Sequence, residues 1–254
     1  MQTIIEVKEL RREYVTYKGA IHRKKEVVQA VRGIDFTVKR GEIFGLLGQN
    51  GAGKTTTIKM LTTLLAPTSG TCKVFGYDTF REEKQIRKRI NFIFGGEMGV
   101  YRRLSAEDNL RYFANLYRMD VKERERRIKD ILELVELTGA ADRLAETYSK
   151  GMIQRLQIAR GLINDPEILF MDEPTVGLDP LGAHMLRDLI RKLRDAGKTV
   201  LLTTHYLPEA EELCDRMVIL NHGKIVASGT SAEIRGDAES LEDAYIRLIK
   251  EDAV

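Results

Sequence analysis

The run Gly48-Gln49-Asn50-Gly51-Ala52-Gly53-Lys54-Thr55-Thr56 places glycines, a lysine and hydroxyls at the spacing G-x-x-x-x-G-K-[ST]. These are the residue types needed to hold a chain of phosphates. Glycine reaches backbone angles closed to other residues and puts no Cβ between main chain and anion, so the N–H groups around Gly48, Gly51 and Gly53 can wrap β- and γ-phosphates. Lys54 adds a point charge and Thr55 a hydroxyl for magnesium. A helix starting near Lys54 aims its unbonded N-terminal N–H groups at the same phosphates. The chemistry is that of a nucleoside triphosphate.

A second cluster follows the apolar run Ile168-Leu169-Phe170-Met171, which ends in Asp172 and Glu173. A carboxylate at a strand tip holds magnesium through water, and the next residue polarises a water in line with the γ-phosphate. Thr203-Thr204-His205 closes another β-branched stretch, 199–203, which brings a histidine to the same sheet edge. That position favours a γ-phosphate sensor over an ordinary hydrogen-bonded histidine.

These side chains need a scaffold. Ile43-Phe44-Gly45-Leu46-Leu47 reads as a buried strand before the glycine loop and 56–65 as a helix after it. Residues 4–7, 27–31 and 34–38 read as antiparallel strands, with the polar, basic stretch 17–26 as a surface hairpin loop. Strands are also expected at 71–75 and 90–94. Apolar spacing turns helical from 105 to 137, and the charged run 122–129 is the solvated face of one of those helices. Residues 218–220 and 224–227 read as a terminal hairpin across Asn221-His222-Gly223, and 240–254 as a helix.

The chain has 254 residues, with 41 basic and 38 acidic side chains giving a net charge of +3. So even a balance does not demand nucleic acid, and none is expected as a partner. Cys72 and Cys214 lack CxxC spacing and histidine neighbours, so they are read as core residues and no zinc is expected. No apolar run approaches the roughly 20 residues that cross a bilayer, and the start, MQTIIEVKELRRE, is charged. A cytoplasmic chain is expected.

With these motifs in place, the chain resembles the ATP-binding subunit of ATP-binding-cassette (ABC) transporters over essentially its whole length. A variant of the family's Leu-Ser-Gly-Gly-Gln signature stands at Tyr148-Ser149-Lys150-Gly151-Met152, and Val176-Gly177-Leu178-Asp179 matches its D-loop. The resemblance implies an α/β fold. It consists of a P-loop NTPase, RecA-like core with an N-terminal antiparallel β-subdomain and an α-helical insert. The chain is one domain, 1–254, with lobes at 1–95 and 161–240 (core), 96–160 (helical, with the signature) and 241–254 (C-terminal helix). The resemblance further implies ATP and Mg²⁺ as ligands. Ser149 and Gly151 touch the γ-phosphate bound to a second subunit, Asp179 crosses the dimer interface, His205 is the switch histidine, and Tyr14 stacks on adenine, with Tyr17 as the other candidate.

Two departures stand out. Where the family has a glutamine at the entry to the helical insert, this chain reads Phe94-Gly95-Gly96-Glu97-Met98, with Gly96 nearest that position. The amide that helps coordinate magnesium and senses nucleotide is absent, so Glu97 substitutes, a water fills the gap, or turnover is slow. Retained activity is expected because Lys54, Asp172, Glu173 and His205 remain. The signature also has Lys150 for a glycine and lacks its final glutamine, as in family members related to drug-resistance exporters.

By this resemblance the chain is an ATPase that dimerises head-to-tail on ATP, as a homodimer or with a related chain. It works peripherally on the cytoplasmic face of the plasma membrane through a separate integral permease. The permease's coupling helix would dock beside 96–103, where Val100 and Tyr101 either pack internally or make contact. The tail segment Leu241-Glu242-Asp243-Ala244-Tyr245 and Thr204-His205-Tyr206 match the daunorubicin-resistance, type-2 exporter branch, so export is favoured over uptake. The alternatives are a soluble ABC ATPase acting on a non-membrane partner and a regulatory nucleotide-binding scaffold with little turnover.

Overall fold

The computed structural model describes residues 2–18, 24–93 and 99–252. The chain divides into two compact units, Met1–Arg87 with Leu201–Val254, and Lys88–Val200.

The first unit opens with β1 (Thr3–Lys18) and β2 (Lys24–Lys39), then β3 (Ile43–Leu47), α1 (Lys54–Leu61), β4 (Ser69–Val74), β5 (Tyr77–Asp78) and α2 (Glu83–Arg87). An antiparallel sheet runs in the order β2-β1-β4-β5. Its inner face follows the alternation in the sequence: Ile34, Phe36 and Val38 are buried while Asp35 and Lys39 are exposed. Phe36 stacks on Phe44 of β3 with ring centroids 5.5 Å apart.

The hairpin departs from expectation. β1 continues to Lys18 and β2 begins at Lys24, so half of the stretch 17–26 is strand, and 19–23 lie outside the described residues. Backbone pairs Tyr14↔Val28, Val15↔Val27 and Thr16↔Glu26 carry this extension. Val15 favours extended backbone, yet it and Thr16 are both exposed, so no inside-outside alternation marks the extension in the sequence.

The second unit contains β6 (Ile90–Ile93), α3 (Ala106–Leu116), α4 (Val121–Leu134), α5 (Lys150–Leu162), β7 (Ile168–Asp172) and α6 (Pro180–Asp195). β6 and β7 pair in parallel, Ile90 opposite Ile168. The helical stretch expected over 105–137 is two helices, because Asp120 caps α4 by accepting from the Lys122 N–H at 2.9 Å. Ile128, Ile131 and Leu132 form the buried side of α4; of the charged run read as a solvated face, Lys122, Glu123, Arg126 and Lys129 are exposed, while Arg124, Glu125 and Arg127 are half-buried in ion pairs. α6 is absent from the expected elements, although Leu186, Leu189, Ile190 and Leu193 recur at helical spacing and form its buried face.

The boundary between units falls within β8 (Thr199–Thr204); the first unit resumes with α7 (Leu207–Leu213), β9 (Arg216–Asn221), β10 (Lys224–Gly229), α8 (Ser231–Arg235) and α9 (Leu241–Glu251). Here the strand order is β10-β9-β3-β8. The expected terminal hairpin is present, but β9 also pairs in parallel with β3, Leu46 opposite Val218, which makes it a neighbour of the strand that feeds the glycine loop. Cys72 and Cys214 are buried free thiols, and burial raises the pKa of both.

In the second unit, Asn109 is 1% exposed and holds the segment leading into α3. Its amide donates to the Ser105 and Tyr101 carbonyls at 2.8 and 3.0 Å, and its oxygen accepts from the Tyr101 N–H at 2.8 Å. Asn109→Ala leaves these buried groups unpaired. It is expected to lower unfolding free energy in urea by roughly 1–3 kcal/mol, whereas the exposed neighbour Tyr112→Ala serves as the mild control.

Candidate functional site

The glycine loop is held as tightly as the strand before it. All of β3 is buried, and the chain then turns through Gly48, at φ 150°, where an added Cβ would lie 2.3 Å from the Leu220 carbonyl oxygen. Gly53 is left-handed, φ 107°, and a Cβ there would meet the Ala30 carbonyl oxygen at 2.6 Å. Both positions exclude any side chain. Around Gly51 the space is open, as a phosphate chain requires. Gln49, Asn50 and Thr55 are exposed, Thr56 is half-buried and Ala52 is buried. The loop is braced by the turn after β9, where the Gly223 N–H donates to the Ala52 carbonyl at 3.1 Å.

Gly53 is also the N-cap of α1, and no side chain caps that helix. The buried Lys54 ammonium donates to the Gly48 carbonyl at 2.6 Å and to the Gln49 carbonyl at 3.3 Å. A cation and a ring of N–H groups thus lie along one loop. His205 follows β8, the strand beside β3, in an exposed turn where the Tyr206 N–H donates to Thr204 Oγ1 at 3.0 Å. Tyr14 lies in β1, half-buried, with the Arg12 guanidinium 4.8 Å from its ring centroid. The Tyr17 side chain, Gly96 and Glu97 lie outside the described part of the chain.

In the second unit, Asp172 ends β7 and Glu173 follows it in left-handed backbone, φ 48°. That conformation costs a non-glycine residue roughly 1–2 kcal/mol; the sequence gives no sign of it. The same unit gathers Ser149, Gly151 and Asp179 around one cavity of about 440 Å³, with Lys150 and Arg155 also on its wall. Ser149 caps α5 by accepting from the Met152 N–H at 3.3 Å, and Asp179 caps α6 by accepting from the Gly182 N–H at 2.6 Å. Two helix N-termini therefore open onto one cavity. Arg155 is fixed from behind by the Val135 and Glu136 carbonyls, each at 3.2 Å.

First-turn charge distinguishes the helices that matter. α2, α3, α4, α7, α8 and α9 each carry a glutamate or aspartate in the first turn, which offsets the partial positive charge of a helix N-terminus. α1, α5 and α6 carry none. α6 is instead offset by the Asp179 carboxylate at its N-cap, so the helix ends left for an anion are those of α1 at the glycine loop and α5 at the signature segment.

Among the described residues, no group of three or more His, Cys, Asp or Glu side chains is gathered as a metal site. A magnesium ion carried on a nucleotide needs only one or two protein oxygens, and the exposed Thr55 hydroxyl and the Asp172 carboxylate are oxygen donors of that kind.

A buried strand, a side-chain-free phosphate loop, an acidic strand tip and anion-ready helix ends define a P-loop ATPase. Residues 31–176 match the ABC transporter family, and the chain belongs to that family. It is 38% identical over 227 residues to the ABC transporter ATP-binding protein NatA of Bacillus subtilis, covering 89% of this chain and 92% of that one. It is 43% identical to the daunorubicin/doxorubicin resistance ATP-binding protein DrrA of Streptomyces peucetius, over 89% and 67% of the two chains. A solved ATP-binding subunit of an ABC transporter superposes with TM-score 0.77 at 33% identity, covering 96% of this chain and 99% of that one. A dimeric post-hydrolysis state of the cassette MJ0796, bound to ADP and Pi, gives 0.75 at 28% identity, over 89% and 97%.

The fold is therefore the RecA-like ABC ATPase fold with an N-terminal β-subdomain and a helical insert. The chain is an ATP-binding, ATP-hydrolysing transporter subunit that pairs with a second such subunit and works with a membrane permease.

Because Gly53 combines left-handed backbone with the close Ala30 oxygen, Gly53→Ala is expected to cost more than about 1 kcal/mol of stability. It should also abolish the ATP-dependent rise in melting temperature; a variant with the wild-type ATP response contradicts the reading of this loop.

Proposed function

We propose that this chain powers export, with two copies or two related chains closing head-to-tail so that each ATP lies between the glycine loop of one and the signature segment of the other. The observation that carries this is the cavity where the N-termini of α5 and α6 meet. Its own unit, Lys88–Val200, contains no glycine loop, while Ser149 and Gly151 present a helix N-terminus of the kind that binds phosphate. Asp179, on the same rim, is the residue that crosses between subunits.

In this reading the loop from Gly48 to Thr56 binds the phosphate chain, and Lys54 moves from the loop carbonyls to the phosphates as ATP enters. Tyr14 stacks on adenine. Thr55 and Asp172 hold Mg²⁺, which supplies charge neutralisation on the phosphoryl oxygens when bound. Glu173 orients the attacking water, Lys54 and the N–H groups of the loop stabilise charge on the transferred group, and His205 holds the γ-phosphate. The lobes are 1–95 with 161–240 as the core, 96–160 as the helical part and 241–254 as the C-terminal helix.

Among the described residues no helix is long and apolar enough to cross a membrane. In this reading the chain works with its permease on the cytoplasmic face of the plasma membrane, as a partner of the kind transporter relatives have. The docking surface is in the second unit, where Tyr101, Leu116 and Val121 are exposed and the Tyr101 ring meets Tyr112 edge-on at 4.9 Å. Val100, beside it, is half-buried. Export as the direction is supported by the name of DrrA as a daunorubicin/doxorubicin resistance protein.

Glu173→Gln keeps the shape of the side chain and removes its basicity. The expected result is ATP binding within about threefold of wild type and turnover lowered roughly 100-fold or more, with an ATP-bound dimer accumulating on size-exclusion chromatography. Wild-type turnover in this variant removes Glu173 from the mechanism.

A further inference from the structure

Arg12 and Tyr14 meet on one face of β1, two residues apart, as the alternation of a strand requires. The Arg12 guanidinium carbon lies 4.8 Å from the centroid of the Tyr14 ring, and one terminal nitrogen donates to the Ala66 carbonyl, in the segment after α1, at 3.0 Å. The strand is pinned to that segment on both sides of Arg12: the Arg11 carbonyl accepts from the Thr68 N–H at 2.8 Å, and the Glu13 N–H donates to Thr68 Oγ1 at 3.0 Å. Among the described residues no carboxylate pairs with Arg12, and its Nε is buried with no acceptor. Leaving a buried donor unpaired costs stability, and the contact that comes with it is the tyrosine ring. Tyr14 is only half-buried with that face covered, which leaves ring surface for a base.

The pair stands where the antiparallel sheet touches the phosphate loop. Arg12 is opposite Val31 and Glu13 opposite Gln29, so Ala30 is an extra, bulged residue on β2. Its carbonyl oxygen is the atom that leaves no room for a Cβ at Gly53, 2.6 Å away. Tyr14 is opposite Val28, two residues beyond Ala30 or roughly 7 Å along the strand. A ring held there is within reach of the base of a nucleotide whose phosphates occupy the loop, and all of these residues belong to the first unit. We propose that Arg12 is a positioning residue for the adenine base: its guanidinium, anchored at Ala66, covers one face of the Tyr14 ring and fixes the ring so that the other face stacks on adenine. A cation over one face also offsets the negative potential of the ring, so the π-face of a base is repelled less on the opposite side. The proposal rests on the reading of Tyr14 as the residue that stacks on adenine.

Arg12→Met tests this in the whole chain, because it keeps an unbranched apolar stem and removes the charge and the forked donors. Binding is measured by calorimetry for MgATP and for magnesium tripolyphosphate, which has the phosphates and no base, with steady-state ATPase kinetics on the same samples. Kd and KM for ATP are expected to rise roughly 2- to 5-fold, with kcat and the Kd for tripolyphosphate within about 1.5-fold of wild type. Arg12→Lys, which retains a cation able to cover the ring, should recover part of the loss. Tyr14→Ala should raise Kd for MgATP roughly 10-fold, and in that background Arg12→Met should add nothing further.

Unchanged Kd for MgATP in Arg12→Met, an equal loss of affinity for tripolyphosphate, no recovery in Arg12→Lys, or the same fold-change in the Tyr14→Ala background overturns the proposal and leaves the role of Tyr14 standing. Wild-type affinity for MgATP in Tyr14→Ala removes the adenine reading of Tyr14 itself, and this proposal with it.

Discussion

A helix N-terminus carries unbonded N–H groups and a partial positive charge, and most helices in this chain neutralise their own with an acidic first turn. α1 and α5 do not, while α6 is offset by the Asp179 carboxylate at its N-cap. Leaving a helix end unneutralised forgoes a few tenths to about 1 kcal/mol of stability, and the return is an end available to phosphate. The rest of the architecture is arranged around those two ends. β3, buried over its whole length, delivers the loop to α1 with no room for a side chain at Gly48 or Gly53. In the other unit, Ser149 and Asp179 satisfy one N–H each at the starts of α5 and α6, and both helices open onto a common cavity.

Charge explains why these ends are specific. Lys54 is buried against two loop carbonyls, which give it partners in the protein and surrender it to a stronger acceptor such as a phosphate. Lys150 and Arg155 on the wall of the signature cavity add positive charge where the family has glycine at the first of these positions. The substitution at Lys150 is thus compatible with an anion in that cavity and does not obstruct it, because Gly151 still presents an open face, its nearest neighbour being Gly182 Cα at 3.9 Å from an added Cβ.

Local chemistry was legible from the residues alone; long-range geometry was not. The glycine loop and the acidic end of β7 are set by residue types a few positions apart, and the structure has each on the element its spacing implies, whereas Ser149 and Asp179 came from the family resemblance and their capping of α5 and α6 from the structure. The extension of the hairpin beyond the expected 4–7 and 27–31 escaped because Val15 and Thr16 both face solvent, which erases the period-two pattern that marks a strand. The parallel pairing of β9 with β3 joins residues about 170 positions apart, and no pattern within either strand specifies its partner. The left-handed backbone of Glu173 leaves no trace in composition at all.

The central claim is that each ATP is completed by residues from two chains, and mixing two inactive variants tests it most directly. Lys54→Ala spoils the phosphate loop and Ser149→Arg the signature end, so each homodimer has two broken sites. A mixed dimer has one site with both parts intact and one with neither. If the sites form between chains, an equimolar mixture should regain roughly a quarter of wild-type ATPase activity, because half of the dimers are mixed and each has one complete site. No recovery in a mixture whose chains are shown to exchange would contradict the account, and would place each ATP site within a single chain.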